Sequence, residues 1–391
     1  MATVMTDSAV LGTYRPAAPL FVSGHGCRVQ DDAGNTYLDF ASGIGVNALG
    51  YADEGVAAAI RVALDTGLVH LSNLYRTLPA QELAAELVAR SFADRVFFCN
   101  SGAEANEAAF KFARRWARAI GGGAKHEIVA LHGSFHGRLF GTLAATDRPS
   151  MQAPFEPLMP GVRFIEIGDM AAARAAISAA RTAAIVVEPV QGEGGVRPVP
   201  AAFLAQLREI ADQEQALLIF DEVQCGLGRT GSLFAYEQTG VEPDVLTLAK
   251  PLAGGLPMGA TLLTDTVAAA IQPGDHATTF GGGPLVAGVA LEVLRRVGQP
   301  EFLAGVAARG KQLAQRLAGL RTLSAVADTR GVGLMMGIEL TVPAAPVVAA
   351  ALEAGLLVTA AGERVVRLLP PLVIGAAEID EGVGVLRRVL S

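Results

Sequence analysis

Cysteine is scarce in this chain, and the way it is placed excludes two kinds of stabilisation. Among 391 residues there are three, Cys27, Cys99 and Cys225. Their wide separations give neither the CxxC spacing of a metal or redox site nor the even, dense pattern of a disulfide framework. They read as reduced, structural thiols. Hydrophobic residues make up 51% of the chain, yet no run approaches the ~20 residues needed to cross a bilayer. Basic excess is missing too. A net charge of −7 and a pI near 5.5 leave no electrostatic footprint for nucleic acid or an anionic membrane. An anionic substrate must therefore be met by a few local arginines. The six histidines include no HExxH. The one pair at helical spacing, His132 and His136 in HGSFH, is interrupted by Gly133 and followed by Gly137, which favours a loop over a zinc-binding helix, so no metal is expected. The start, MATVMTDSAVLGTYRP, has no basic leader followed by an apolar core and cleavage site, so no secretory signal is expected and the cytoplasm is the expected location. Internal repeats and low-complexity linkers are also missing.

What is present is length enough for two domains. Residues 20–40 read as short strands with a turn at Asp32, Ala33 and Gly34. From about residue 55, helical stretches such as QELAAELVARS and EANEAAFKFARRWARAI alternate with the strands VFFC, EIVAL, VRFIEI, AAIVVE, LLIFD and VLTLA. This is α/β order with a mainly parallel sheet. After about residue 284 the chain turns helical, then offers strands in LMMGIEL and VVRLLPPLVI. The expectation is a large domain over 55–283 and a smaller α+β domain over 284–391, completed by residues 1–54.

Three of those apolar runs end in ionisable residues: Glu188, Asp221 and, 29 residues after Asp221, Lys250. Fully apolar runs of this length read as buried parallel strands, whose carboxyl ends collect ligands in open α/β sheets. A buried carboxylate such as Asp221 opposite a pyridine nitrogen keeps it protonated, so that the ring accepts electrons from a carbanion. Lys250 would supply an amine for covalent attachment and then a base over the substrate's reacting carbon. Together they suggest a pyridoxal-phosphate enzyme. Taken singly, each has the plain reading of a strand-end charge reaching water, and for Lys250 alone that reading is the better one. The Pro and Gly residues of AKPLAGGLPMGA, which end the strand and let backbone approach, favour a site.

Four further segments bear on that reading. Ser101 and Gly102 stand immediately before a helix with Glu104 and Glu107 in its first turns, an arrangement that offers amides and a favourable dipole to phosphate. The plain alternative is an ordinary cap at Ser101 or Asn100. HGSFHGR presents Phe135, able to stack on a cofactor ring, and Arg138, able to clamp a carboxylate. From that loop alone a packed Phe and a solvated Arg are equally good. Arg367 interrupts the apolar run VVRLLPPLVI and needs a partner if buried, so it is a second carboxylate anchor with Glu193 of QGEGG as counter-ion. Finally, Gly226, Gly228 and Gly231 in CGLGRTG satisfy the G-x-G-x-x-G pattern. A dinucleotide site needs those glycines directly in a strand-to-helix turn, and EVQC intervenes here, which leaves a nicotinamide-dependent oxidoreductase as a remote alternative.

The segments NSGAEANEAA, SFHGR, VEPVQGEGGV, LLIFDEVQCGLGRTG, DVLTLAK and HATTFGGGPL, in that order, resemble class III aminotransferases, most closely the acetylornithine aminotransferase subgroup. FVSGHGCRVQDDAGNTYLDFASGIGVNALG near the start and RLLPPLVI near the end extend the resemblance over nearly the whole chain. It implies fold type I of the pyridoxal-phosphate-dependent transferases. It also implies a homodimer, and transfer of the terminal amino group of N-acetylornithine to 2-oxoglutarate in arginine biosynthesis. Lys250 resembles the cofactor-bearing lysine and Asp221 the pyridine-nitrogen partner. Val223 and Gln224 match positions that pack on the ring and bond its phenolic oxygen, and Glu222 between them and Asp221 joins the cofactor-binding set. Gly102 and Ala103, with Ser101, resemble phosphate ligands, Phe135 the stacking aromatic and Arg138 the carboxylate-holding arginine. Thr279 matches a residue crossing from the second subunit, with Thr278 near substrate. Ile44 stands where relatives acting on free ornithine have a tyrosine, which favours an uncharged substrate end. Tyr51, Asp53, Pro251 and Gly283 depart from the family's usual residues. The nearest alternatives keep the chemistry and change the amine, to succinyl-diaminopimelate, ornithine, 4-aminobutyrate or a carrier-linked amine.

Overall fold

The computed structural model describes residues 9–391, so the leader reading above lies in part outside the described residues. Its centre is a seven-stranded sheet: β1 (Arg95–Cys99), β2 (Glu127–Leu131), β3 (Val162–Ile165), β4 (Thr182–Val187), β5 (Leu217–Asp221), β6 (Val245–Leu248) and β7 (Gly259–Leu263). The spatial order is β1-β7-β6-β5-β4-β2-β3. The five strands from β6 to β3 run parallel, while β7 is antiparallel to both β6 and β1. The mainly parallel sheet expected from the α/β order is therefore present, with one reversal near an edge.

Strands in the middle of this sheet are buried throughout, as their unbroken apolar runs require. Their side chains still divide by period two between the sheet's faces. Val129, Leu218, Phe220, Leu246 and Leu248 join one cluster, and Ile128, Ala130, Ile219 and Val245 join the other. The second cluster is closed by the helix Gly102–Gly121, which lays Ala105, Ala108, Ala109, Phe112 and Ala113 on β7, β6 and β4. Its run of alanines lets that helix sit close to the sheet. Ser101 caps it, accepting a hydrogen bond from the Glu104 amide at 3.2 Å.

Two smaller sheets flank this core. The strands Phe21–His25, Arg28–Asp31 and Thr36–Asp39 form an antiparallel meander that Leu356–Leu357 joins in parallel, beside Leu38 and Asp39. The expected turn is present: Asp31 Oδ1 accepts from the amides of Ala33 and Asn35 at 3.1 and 2.7 Å. The other sheet orders Val326–Val332, Met335–Leu340, Val365–Leu368 and Thr359–Ala360, all antiparallel. VVRLLPPLVI is a strand only as far as Leu368, because Pro370 and Pro371 cannot continue the ladder. The helix Pro284–Val297 packs on Glu54–Asp65, Leu78–Ala89 and the turn at Lys250–Ala253, whereas Pro300–Ala318 packs on Ala376–Leu390. No helix among the described residues is long and apolar enough to cross a membrane.

Phe40 is fully buried where the N-terminal meander meets the C-terminal helix, and Gly382 of that helix leaves room for its ring. Phe40→Ala is expected to cost about 3–5 kcal/mol through the cavity it opens, read as a lower urea midpoint at unchanged slope.

Candidate active site

The carboxyl ends of β4, β5 and β6 open on one cavity of about 410 Å³, lined among others by Glu188, Asp221 and Lys250. The three strand-end charges are thus brought together. Asp221 is 3% exposed. Its Oδ2 accepts from Asn106 Nδ2 at 2.7 Å and lies 2.8 Å from His136 Nδ1, and its Oδ1 accepts from the Val223 amide at 3.0 Å. Asn106 is itself held, donating to the His136 carbonyl at 2.9 Å and accepting from Thr247 Oγ1 at 2.8 Å. An acceptor carboxylate requires the proton of His136 to sit on Nδ1. Nε2 of that ring is buried and has no hydrogen-bond partner. Burial lowers the pKa of Lys250, opposed by the charges of Asp221 and Glu193, and an amine held below its ordinary range is a better nucleophile.

Gly102 and Ala103 line the same cavity at the start of the 20-residue helix. A Cβ on Gly102 would meet Val223 Cγ1 at 2.6 Å, so the backbone there can approach as it does only without a side chain. Phe135 and Arg138 also line the cavity, with the Arg138 guanidinium 5.7 Å from the Phe135 ring centroid. Arg138 is exposed. Arg367 is 1% exposed, and its three contacts are Glu193 Oε1, Gln224 Oε1 at 3.1 Å and Thr359 Oγ1 at 3.2 Å. Glu193 and Gln224 line the cavity while Arg367 lies behind them.

Other expected residues lie elsewhere. Glu222 does not face the cavity: its carboxylate accepts from the amides of Ala235 and Tyr236 at 2.6 and 2.7 Å, so the alternation of the chain turns it away from Asp221. Burial pushes its pKa up to about 8. Thr278 and Thr279 line a separate recess with Asn100 and Glu104, where Thr278 Oγ1 accepts from Asn100 Nδ2 at 3.1 Å. Ile44 has φ +63° and is 40% exposed, outside the cavity lining, and Val46 two residues on lines it instead. Gly226, Gly228 and Gly231 fall in a turn followed by the short 3-10 segment Ala235–Gln238, with no helix start to receive a pyrophosphate. The dinucleotide alternative has no site there.

Sequence reasoning missed Asn106 and the way His136 serves. The available signal was a polar residue on the buried, alanine-rich face of a helix, which requires a partner. The wall formed by Gly255, Leu256, Pro257 and Met258 was also unassigned, and its apolar composition carries no chemical signal.

A lysine of lowered pKa, a buried carboxylate and a helix start border one cavity, the arrangement expected of a pyridoxal-phosphate enzyme. The chain belongs to the class-III aminotransferases, whose family model matches residues 13–390. Among its relatives, the mitochondrial acetylornithine aminotransferase of Alnus glutinosa is 50% identical over 97% of this chain and 85% of that protein. The acetylornithine aminotransferase of Methanocaldococcus jannaschii is 44% identical over 97% and 96%. Solved structures similar to it include N-acetylornithine aminotransferase from Stenotrophomonas maltophilia, with TM-score 0.84 and 39% identity over 96% of both chains. Ornithine aminotransferase from Toxoplasma gondii gives TM-score 0.92 at 30% identity, over 98% of this chain and 92% of that one. This enzyme is accordingly a pyridoxal-phosphate-dependent transaminase of fold type I. The residues fit that cofactor: Gly102, with no side chain, the Asp221 carboxylate and Lys250 all line the cavity it would take.

Glu188 is buried, its Oε1 accepting from the Phe135 amide and its Oε2 from the Gly192 amide, and desolvation pushes its pKa up to about 7. The folded protein therefore holds a proton that an unfolded carboxyl releases from about 4.5 upward. The stability this group contributes is complete below that value and is lost as pH rises through about 7. Urea midpoints for wild type and Glu188→Gln are expected to show the wild type losing ground across that window and holding level above it; a constant difference refutes the shift.

Proposed function

We propose that this transaminase moves the terminal amino group of N2-acetylornithine to 2-oxoglutarate, giving N-acetylglutamate 5-semialdehyde and glutamate. The observation that carries this reading is the buried Arg367 covered by Glu193, which lines the cavity together with Arg138. Glutamate brings two carboxylates, and N-acetylornithine one carboxylate beside a neutral amide. With Glu193 on Arg367 the inner charge is neutralised and an uncharged end is accommodated. With Glu193 turned away, Arg367 meets a second carboxylate by a charge-assisted, bidentate contact. Acetylornithine aminotransferases among the relatives support the same substrate.

Pyridoxal phosphate, when bound, supplies the electron sink that makes a proton next to nitrogen removable. Lys250 Nζ, with its pKa lowered by burial, holds and returns that proton. Asp221, its carboxylate fixed by Asn106 and His136, would hold the pyridine end of the cofactor and keep it protonated. Gly102 and Ala103 at the helix start would hold the phosphate, Phe135 and Val223 would pack on the ring, and Gln224 would offer a hydrogen bond to its hydroxyl. Arg138 would orient the carboxylate common to both substrates.

The same reading takes the enzyme as a homodimer in which Thr279 and Thr278 serve the neighbouring subunit's site. Thr279 lies outside its own subunit's cavity, and Leu74, Tyr75, Leu78 and Phe280 are exposed apolar side chains of the kind a partner covers. A cytoplasmic location suits three buried, unpaired cysteines. On the same reading the chain divides into a large unit on the seven-stranded sheet and a small unit of N- and C-terminal segments, and the packing of Pro284–Val297 on Glu54–Asp65, Leu78–Ala89 and Lys250–Ala253 supports counting that helix with the large unit.

Without keto acid, N-acetylornithine is expected to convert the yellow enzyme rapidly to its amine form, faster than ornithine, succinyl-diaminopimelate or 4-aminobutyrate. Arg367→Ala should lower kcat/KM for glutamate about a hundredfold and leave the N-acetylornithine half-reaction within a few fold; an intact glutamate half-reaction would sink the two-arginine reading. For the shared site, co-expressed Lys250→Ala and Thr279→Ala subunits should regain activity that each homodimer lacks, because one site of the mixed dimer is then complete. No gain on mixing places Thr279 in its own subunit's chemistry.

A further inference from the structure

Glu193 stands in a turn whose backbone is held from several sides. Glu188 Oε2 accepts from the Gly192 amide at 3.1 Å, and Arg330 Nε donates to the Gly195 carbonyl at 2.9 Å. The third tie is Arg148. Its Nη2 donates to the Glu193 carbonyl at 2.8 Å and to the Gly133 carbonyl at 3.3 Å, while its Nη1 donates to its neighbour's carbonyl at Asp147, 2.7 Å away. Gly133 belongs to the loop that carries Phe135, and that loop is joined to the Glu193 turn twice more. Glu188 Oε1 accepts from the Phe135 amide at 2.9 Å, and Gln191 Nε2 donates to the His132 carbonyl at 2.9 Å. Arg148 itself is half-buried, does not line the cavity and falls outside every motif that pointed to the site.

We propose that Arg148 is a positioning residue that sets the balance between substrates with one carboxylate and substrates with two, by fixing the backbone of Glu193 beneath its contact with Arg367. This rests on the Arg367–Glu193 exchange proposed above. A guanidinium bridging two backbone carbonyls holds the turn with charge-assisted bonds and leaves only the Glu193 side chain free to swing. Covering Arg367 then costs little ordering, because the backbone is already in place. Releasing the turn adds freedom chiefly to the uncovered form, and the population shifts towards it. The covered form accepts an uncharged substrate end and the uncovered form a carboxylate, so the shift acts on the two half-reactions in opposite senses.

The test uses holoenzyme carrying Arg148→Ala, with each half-reaction followed separately. The KM for N-acetylornithine is expected to rise about tenfold, the scale of one lost hydrogen bond to a charged group. The KM for glutamate should stay level or fall, with kcat for both within about twofold of wild type. Arg148→Lys, which keeps the charge and one donor direction, should give an intermediate ratio and serves where the alanine variant fails to fold. Equal shifts in both KM values, with a lowered Tm, would mean a merely structural residue and overturn the proposal. In the apoprotein, amide exchange over Gly192–Gly195 is expected to speed up in Arg148→Ala, and unchanged exchange there overturns the proposal whatever the kinetics. Should N-acetylornithine be inert with wild type, the substrate reading falls by itself. The KM ratio is then measured with ornithine or 4-aminobutyrate against glutamate, and the same two outcomes decide on Arg148.

Discussion

A carboxylate taken out of water at the end of a central strand must be given back its hydrogen bonds, and much of this structure is arranged around that requirement at Asp221. An ionised carboxylate buried alone is costly by many kcal/mol. Here its oxygens take an amide from the next turn, a side-chain amide from the helix Gly102–Gly121 and an imidazole from the HGSFHGR loop. Each donor needs its own support. Asn106 is oriented by Thr247 of the neighbouring strand, and His136 is seated by the Thr146 hydroxyl that receives its amide. The same helix start that carries Asn106 presents Gly102 and Ala103 to the cavity. Asp221 and the amides of Gly102 and Ala103 are thereby held at a fixed separation through one rigid helix.

Arg367 poses the complementary problem with a positive charge. Removing one member of such a buried pair leaves an uncompensated charge, so the pair is maintained in both substrate states only if a substrate carboxylate takes over from Glu193. On the exchange proposed above, the choice of substrate rests on side chains, which a fold comparison does not separate. An ornithine aminotransferase superposes with a TM-score of 0.92 at 30% identity, and an N-acetylornithine aminotransferase with 0.84 at 39%. Shape here follows the shared cofactor chemistry, and selectivity follows a few side chains and the backbone that aims them.

Most of the fold was legible because buried parallel strands leave unbroken apolar runs, and LLIFD and AAIVVE are strands within a residue or two of their expected limits. The reversal at β7 was not legible, since GATLL carries no mark of strand direction. Asp221, Lys250 and Arg367 announced themselves as charges where apolar patterning did not want them, and Glu193 only as the counter-ion that a buried Arg367 needs. Glu222 misled for the same reason: it is as buried as Asp221, but it faces the opposite way and caps the Ala235–Gln238 segment. Ile44 lies outside the cavity lining, where four successive positive φ angles, from Ser42 to Gly45, turn the chain and Val46 lines the cavity. Asn106, Arg148 and the wall at Gly255–Met258 act through long-range proximity, which no local pattern encodes.

The departures from family pattern at Pro251 and Gly283 have local explanations that leave the cavity unchanged. Pro251 is the second residue of the turn Lys250–Ala253, a first-turn position where a missing N–H costs nothing and a fixed φ suits the backbone. It is buried, and it stiffens the chain immediately after the reactive lysine. Gly283 caps the helix Pro284–Val297 at φ −53°, a conformation open to any residue, so glycine there is a choice of bulk rather than of backbone. A Cβ at that position would meet the Phe280 carbonyl oxygen at 3.3 Å, a tight approach, and His70 Nδ1 at 3.7 Å, ordinary van der Waals contact. Neither residue lines the cavity that holds Lys250. Selectivity is therefore left to groups that do line it, the apolar wall of Val46, Leu256, Pro257 and Met258 on one side and the Glu193 turn on the other. On the proposed exchange, the turn is the one of these two that alters the charge presented to substrate without moving the sheet.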